Sequence, residues 1–288
     1  MEKTVFLEYM DGLMVEQVVR DHEYSMNSKH FHESFEVYFL LEGERYYFID
    51  RETYLVKAGM TVLVKRSQIH KTSMAGHSYH DRLLLQLDSG KFSPYMKMMG
   101  LSSLEDLFER LNGVVEYTPG DWSELLKLLA ALKQELKERK SGYEAAVRIL
   151  VIYILIISSR YGGSEKVHRE VLTIDSHQAQ TAKHQKIREV TEYLLTHYAT
   201  KESQEEMAAH FFVSKSYLCR IFKEVTGFTL NEYQNLARIK VARQLLVDTD
   251  SSITEIADQV GFESITYFER VFKKLTAERP LQYRKKYQ

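Results

Sequence analysis

Two stretches of this chain decide how it is read: Ser203-Gln-Glu-Glu-Met-Ala-Ala-His-Phe-Phe-Val-Ser214-Lys-Ser-Tyr-Leu-Cys-Arg-Ile-Phe-Lys223 and Ser252-Ile-Thr-Glu-Ile-Ala-Asp-Gln-Val-Gly-Phe-Glu-Ser264-Ile-Thr-Tyr-Phe-Glu-Arg-Val-Phe-Lys273. Each opens on Ser-x-x-Glu, the capping box. There the hydroxyl accepts from the third helical N–H and the glutamate reaches back to the cap N–H. Thr229-Leu-Asn-Glu232 repeats the pattern between them. One match would be chance; three, each opening a helical period, give a consistent reading. In both stretches a short helix around Met207-Ala208 or Ile256-Ala257 leads through a tight turn, Phe211–Ser214 or Gly261–Ser264, into a second helix. Counted from the serine, the second helices share an aromatic at the fourth place (Tyr217, Tyr267) and an arginine at the seventh (Arg220, Arg270). They also share phenylalanine at the ninth (Phe222, Phe272) and lysine at the tenth (Lys223, Lys273).

Helical periodicity separates the faces of these second helices. Leu218, Ile221, Phe222 and Val225 face inward in the first, and Phe268, Val271, Phe272 and Leu275 in the second. Lys215, Ser216, Cys219, Arg220 and Lys223 lie on or flank the outer face of the first. Ile265, Thr266, Glu269, Arg270 and Lys273 do so in the second. A stripe with arginine, flanking lysine and short polar side chains suits a major groove. Arginine bonds a guanine edge in bidentate fashion and lysine holds phosphates. One charged helix face is ordinarily just solvated; two in matched register point to double-stranded DNA. Net charge adds little, since residues 184–288 carry 16 Lys and Arg against 14 Asp and Glu.

Working outward, everything from His184 reads as helical, and residues 163–183 read as a polar linker. Residues 101–162 read as a helical connector. Leu104, Leu107, Phe108 and Leu111 are at helical spacing, and Asp121-Trp-Ser-Glu opens a helix carrying Leu125, Leu128, Leu129 and Leu132. A third helix, about Tyr143–Tyr161, is apolar nearly all round from Ile149 to Ile157. It either crosses the core or pairs with a second copy to make a homodimer, with Ile152 and Leu155 as the positions to test. Residues 1–90 read as strands punctuated by Gly43, Asp50-Arg51 and Gly59, and residues 91–100 as a loop holding Pro94 and Gly100. The run Ile149–Ile157 is too short for a membrane span, which needs about 20 residues. No signal peptide is read at the N-terminus. A single thiol, Cys219, fits a reducing compartment and so a cytoplasmic location. At an outer helix face it is a tolerated small side chain or a redox sensor, and sensing would need a low thiol pKa.

His30-Phe-His32, Glu36, Gly43, Gly59 and His70 resemble the two cupin motifs in spacing, with Lys65, Ser67 and Met74 departing from the second. Histidines at i and i+2 share a strand face. With Glu36 and His70 they form a possible transition-metal set, or else they meet an organic effector or pack the barrel mouth. Tyr38, Tyr46, Phe48 and Tyr54 either stack on a sugar or fill the core.

Residues 203–285 resemble the AraC-type regulator family. Beside the paired units, Leu236–Leu246 lies at the centre of a long joining helix, about Thr229–Val247. Asp248-Thr-Asp, Ile253-Thr-Glu-Ile-Ala, Val260-Gly-Phe and Phe272-Lys-Lys stand in the family's order. Ala277 and Arg279 depart from its usual glycine and threonine. The resemblance implies recognition helices in successive major grooves about 34 Å apart. It also implies a sensor in front: a cupin-like barrel that is no enzyme, needs no metal, and takes a small molecule, often a sugar. His30, His32, Glu36, Tyr38, Tyr46 and His70 are then the effector-binding candidates. The expected fold class is multidomain α+β: a cupin-like β-barrel (1–100), a helical connector (101–162), a linker (163–183) and an all-α domain with two helix-turn-helix units joined by a long helix (184–288). The expected function is effector-controlled transcription regulation as a homodimer, by activation through RNA polymerase. The alternative is a metal-dependent cupin enzyme fused to a DNA-binding domain.

Overall fold

The computed structural model describes residues 2–22, 34–111, 113–161 and 178–288, with side chains from 182 onward in the last span. Its N-terminal part is β1 (Glu2–Met10), β2 (Leu13–Arg20), β3 (Phe35–Ile49), β4 (Glu52–Lys57), β5 (Met60–Val64), β6 (His70–Met74), β7 (His80–Leu87) and β8 (Gly113–Glu116). The strands run β1-β2-β7-β3-β5-β8, and β4 and β6 pair with β3 off that path. β3 therefore serves two sheets. Its first half pairs β5 and β7, and its second half pairs β4 and β6.

Gly43, expected as a turn, lies inside this strand at φ +87°. A Cβ there would meet the Tyr79 carbonyl and sit 3.1 Å from His80 Cα, so the backbones approach too closely for a side chain. The β3–β7 register shifts between Leu40 and Glu42. An extra residue in one strand reverses which face each later side chain takes. Tyr38 and Leu40 point into the barrel before the shift, and Tyr47 and Ile49 after it. Outside, Phe35, Val37 and Phe39 face the helices, whereas Phe48 faces the C-terminal part.

The helices that follow are α1 (Ser89–Met98), α2 (Leu104–Arg110), α3 (Pro119–Glu138) and α4 (Tyr143–Ser159). The stretch expected as a loop, 91–100, is mostly α1. Asp88 caps it by accepting from Lys91 N–H, and Pro94 sits within it. Gly100 at φ +74° follows its end. Apolar stripes of α1–α4 share one core with the outer face of the sheet. Ile152 and Leu155 of α4 are 2% and 1% exposed, so they belong to that core, whereas Ile149 is 55% exposed.

The C-terminal part is α5 (Gln178–Thr196), α6 (Gln204–His210), α7 (Lys215–Thr226), α8 (Leu230–Asp248), α9 (Ile253–Gln259), α10 (Ile265–Thr276) and α11 (Pro280–Tyr287). α5 begins inside the span read as a linker, of which residues 163–177 lie outside the described residues. All three capping boxes form with both of their bonds: Ser203 with Glu206, Thr229 with Glu232, and Ser252 with Glu255. The two parts touch. The β3–β4 hairpin and β6 dock where α7 ends and α8 begins. Phe48 and Ile69 are buried in the helical core, with Phe48 edge-on to Phe228 and Tyr233 at 6.1 and 5.9 Å. Tyr233 Oη donates to the Asp50 carbonyl, Lys71 Nζ to the Gly227 carbonyl, and Thr53 Oγ1 to the Val225 carbonyl at 3.3 Å.

Two turn positions give opposite expectations. Gly261 has φ +87°, and a Cβ there would lie 2.7 Å from Ala199 Cα. Ala277, after α10, adopts φ +65° where Gly227 closes α7 at +77°. Gly261→Ala is expected to lower stability by more than about 1 kcal/mol, through strain and backbone overlap. Ala277→Gly relieves the left-handed penalty, for a gain of up to about 1 kcal/mol. Urea midpoints of the two variants moving in the same direction would contradict this account.

Candidate functional site

Both second helices are cut to one plan. Ser214 and Ser264 cap α7 and α10 by accepting from the Tyr217 and Tyr267 N–H groups, each at 3.3 Å. Leu218, Ile221, Phe222 and Val225 are buried beneath α7, and Phe268, Val271 and Phe272 beneath α10. Lys215, Ser216, Arg220 and Lys223 are exposed along α7, and Ile265, Thr266, Glu269, Arg270 and Lys273 along α10. Cys219 is half-buried instead, its Sγ 3.5 Å from Gln204 Oε1 on α6. Lys215 pairs with Glu205 at 2.6 Å, and that contact raises the lysine pKa and lowers the carboxylate's.

The arginines are held alike. The Arg220 guanidinium lies 5.6 Å from the Tyr217 ring centre, and Arg270 lies 5.1 Å from that of Tyr267. Asn235 Nδ2 donates to Tyr267 Oη at 3.0 Å, fixing that ring from the joining helix. A guanidinium stacked on an aromatic face keeps its hydrogen-bonding fork free and restricted in orientation. The two tyrosines were visible as a repeat in the sequence but not as supports. The signal was the three-residue spacing from each tyrosine to its arginine, which puts the pair on one helix face.

In the barrel the structure brings Glu36, Tyr38 and His70 together, all nearly fully buried. Tyr47, which sequence reasoning passed over, is at their centre. Its hydroxyl donates to Glu36 Oε1 at 2.8 Å, its ring stacks on His70 at 6.1 Å, and Tyr38 meets it edge-on at 5.2 Å. His70 Nε2 faces Glu36 Oε2 at 3.7 Å, while Nδ1 contacts the Gln68 carbonyl at 2.9 Å. Burial pushes the Tyr38 phenol up to about 12, and burial with the Glu36 carboxylate beside it pushes Tyr47 well above its usual value. Both remain neutral hydrogen-bonding groups at physiological pH. Tyr46 lies on the other face of β3, and His30 and His32 lie outside the described residues. Among the described residues no group of three His, Cys, Asp or Glu side chains is placed to hold a metal. Of the described candidates, Glu36 and His70 converge, and the carboxylate accepts from the Tyr47 hydroxyl.

Paired helix-turn-helix units behind a β-rich ligand-binding domain define a class of regulators rather than enzymes. The AraC-like ligand binding domain family matches residues 15–155, and a helix-turn-helix domain family matches residues 207–286. The chain belongs to the AraC-type family. It is 34% identical over 98 residues to the uncharacterized regulator YijO of Escherichia coli, covering 34% of this chain and 35% of that one. It is 32% identical over 99 residues to the regulatory protein PocR of Salmonella typhimurium, covering 34% and 33%. The chain thus spans about a third of the length of these curated relatives. Among solved structures it resembles the C-terminal domain of AraT from Geobacillus stearothermophilus at 31% identity, covering 35% of this chain and 84% of that one, with a TM-score of 0.34. It resembles ToxT of Vibrio cholerae at 14% identity, covering 96% and 99%, with a TM-score of 0.38. Among the described residues no helix is long and apolar enough to cross a membrane.

The barrel also holds a titrating group. His80 is 2% exposed, and burial lowers its pKa to about 4 against a backbone bond from Nδ1 to the Ser78 carbonyl. The unfolded chain therefore takes up this proton first as pH falls. The stabilisation is complete above about 6.5 and is lost as pH falls toward 4, amounting to roughly 3 kcal/mol at most. His80→Gln is expected to flatten the stability profile across that window. A profile as steep as the wild type's in urea titrations at several pH values would remove His80 as its source.

Proposed function

We propose that this protein is a sequence-specific DNA-binding transcription regulator, most simply an activator that engages RNA polymerase, controlled by a small polar effector in its barrel. The observation that carries the DNA reading is the pair of outward arginines, Arg220 and Arg270, each stacked on a tyrosine at the same place in its helix. Lys223 and Lys273, one turn further on, suit phosphates. For the effector, the buried Glu36–Tyr47–His70 cluster with Tyr38 offers aromatic faces beside neutral and charged hydrogen-bonding groups. That combination favours a polyhydroxylated ligand such as a sugar over a plain hydrocarbon.

The homodimer reading moves to a different face of α4 from the one chosen on sequence. A charge at Ile152 or Leu155 would break the core. The exposed Ile149 and Tyr153, with Leu126 of α3 also exposed, form the apolar surface on offer. Effector binding would act by favouring one arrangement of the paired DNA-binding parts over another.

Arg220→Ala and Arg270→Ala are each expected to weaken specific binding by about 1–3 kcal/mol, whereas Lys223→Ala should weaken all sequences alike. Fluorescence anisotropy on a selected operator and on random duplex measures both; equal binding by wild type and the double arginine variant would reject the recognition-helix assignment. Ile149→Glu should yield a folded monomer in sedimentation experiments, and an intact dimer would reject the α4 interface.

A further inference from the structure

Phe212, in the turn between α6 and α7, is 94% exposed and adopts φ +55°. A bulky residue in the left-handed region is strained, and packing in a core would ordinarily account for it. Here no packing does. The neighbouring Phe211 lies against Tyr193 at 5.6 Å and His210 at 5.0 Å, whereas Phe212 makes no ring contact among the described residues. The second unit shows what the turn itself requires. Phe212 N–H donates to the Ala209 carbonyl and Val213 N–H to that of Ala208, each at 3.0 Å. Gly261 N–H donates to the Asp258 carbonyl and Phe262 N–H to that of Ala257, each at 2.9 Å. Gly261 therefore holds the place of Phe212, at φ +87°, where glycine is unstrained. The fold asks for no side chain there. A ring kept at a strained, solvent-facing position points to a contact outside the chain.

The surroundings select the class of contact. Ala209, His210, Ser214, Lys215 and Ser216, the residues flanking this turn, are exposed, and all are small, polar or cationic. An aromatic that docks a protein sits at the centre of a ring of close-packed neighbours, which this one lacks. Phe212 lies two residues before the Ser214 cap, at the leading end of α7. In a helix-turn-helix the N-terminal residues of the second helix are those that reach base edges, and a phenylalanine ring there can lie against a thymine methyl. We propose that Phe212 is a specificity-determining residue of the first unit, its ring covering a thymine methyl beside the bases that α7 reads. This rests on the DNA reading of α7. The second unit, with Gly261 at that place, has no counterpart.

The test uses the full chain, with fluorescence anisotropy on the selected operator and on a series in which each thymine is replaced singly by deoxyuridine, which lacks only the methyl. Wild type is expected to lose about three- to five-fold in affinity at one thymine of the half bound by α7, the worth of one covered methyl. Phe212→Gly and Phe212→Asn, both suited to the left-handed region, should melt no lower than wild type. Each should bind the operator more weakly by a similar factor, bind random duplex as wild type does, and be indifferent to that deoxyuridine. Operator affinity unchanged in both variants, or the same deoxyuridine penalty in variants and wild type, would overturn the proposal. So would a lower melting temperature in both, which would make the ring a packing group. Unchanged DNA binding with loss of transcription activation would assign the ring to a protein partner instead. The double variant Arg220→Ala, Arg270→Ala separates the two levels. If it binds the operator as wild type does, the DNA reading of the helices fails; if it loses binding while Phe212→Gly keeps it, only the role of Phe212 fails.

Discussion

The phenol of Tyr233 is the joint on which the arrangement of the two parts depends. Its ring is buried among Phe222 and Phe228 of the helical core and Phe48 of the barrel, and its hydroxyl reaches the Asp50 carbonyl. A tyrosine sunk in an apolar core needs a partner for its hydroxyl, since an unmet one costs about 1–3 kcal/mol. That partner lies in the other part of the chain, so the helical core is completed only when the hairpin is docked. Asp50 adds to the constraint, because its carboxylate also accepts from Ile69 N–H and Gln68. One residue thus orders the hairpin, the turn before β6 and the start of the joining helix.

The dock bears on α7 more than on α10. Gly227 closes α7 with a left-handed residue, and its carbonyl accepts from Lys71 of β6. The Lys71 charge also sits 4.8 Å from the Phe228 ring centre. A cation at a helix C-terminus meets the negative end of the helix dipole, so the barrel supplies a cap that α7 would otherwise take from water. α10 has no such contact from the barrel among the described residues, and it ends in its own Lys273 and Lys274. The two units are copies in sequence but unequal in what supports them.

The helical part was legible because its signals are local. A capping box spans four residues, and an inward stripe repeats within a turn, so Ser203, Thr229 and Ser252 each announced a helix that the structure forms. The barrel was legible in kind but not in phase. Tyr38 and Tyr46 are an even number of positions apart and read as lying on one face, yet the shift near Leu41 sends Tyr46 outward and brings Tyr47 in. Nothing local marks such a shift, since it is fixed by pairing with β7, far along the chain. Pro94 misled for a similar reason. A proline usually argues against a helix, yet here the helix capped by Asp88 runs through Pro94. The contact between the parts left no trace in the sequence, because Phe48 and Ile69 look like ordinary strand residues until their partners are known.

The register shift in β3 has a consequence for addressing. A strand is a tape with two tracks, and every residue is written to one or the other. Before the shift, the inner track of β3 carries Glu36 and Tyr38 to the barrel interior; after it, the outer track carries Phe48 to the helical part. One additional residue near Leu41 is the frame mark between the two messages. Its removal would leave every side chain chemically intact and deliver the second message to the wrong recipient, with Phe48 turned into the barrel and Tyr47 turned out toward α8.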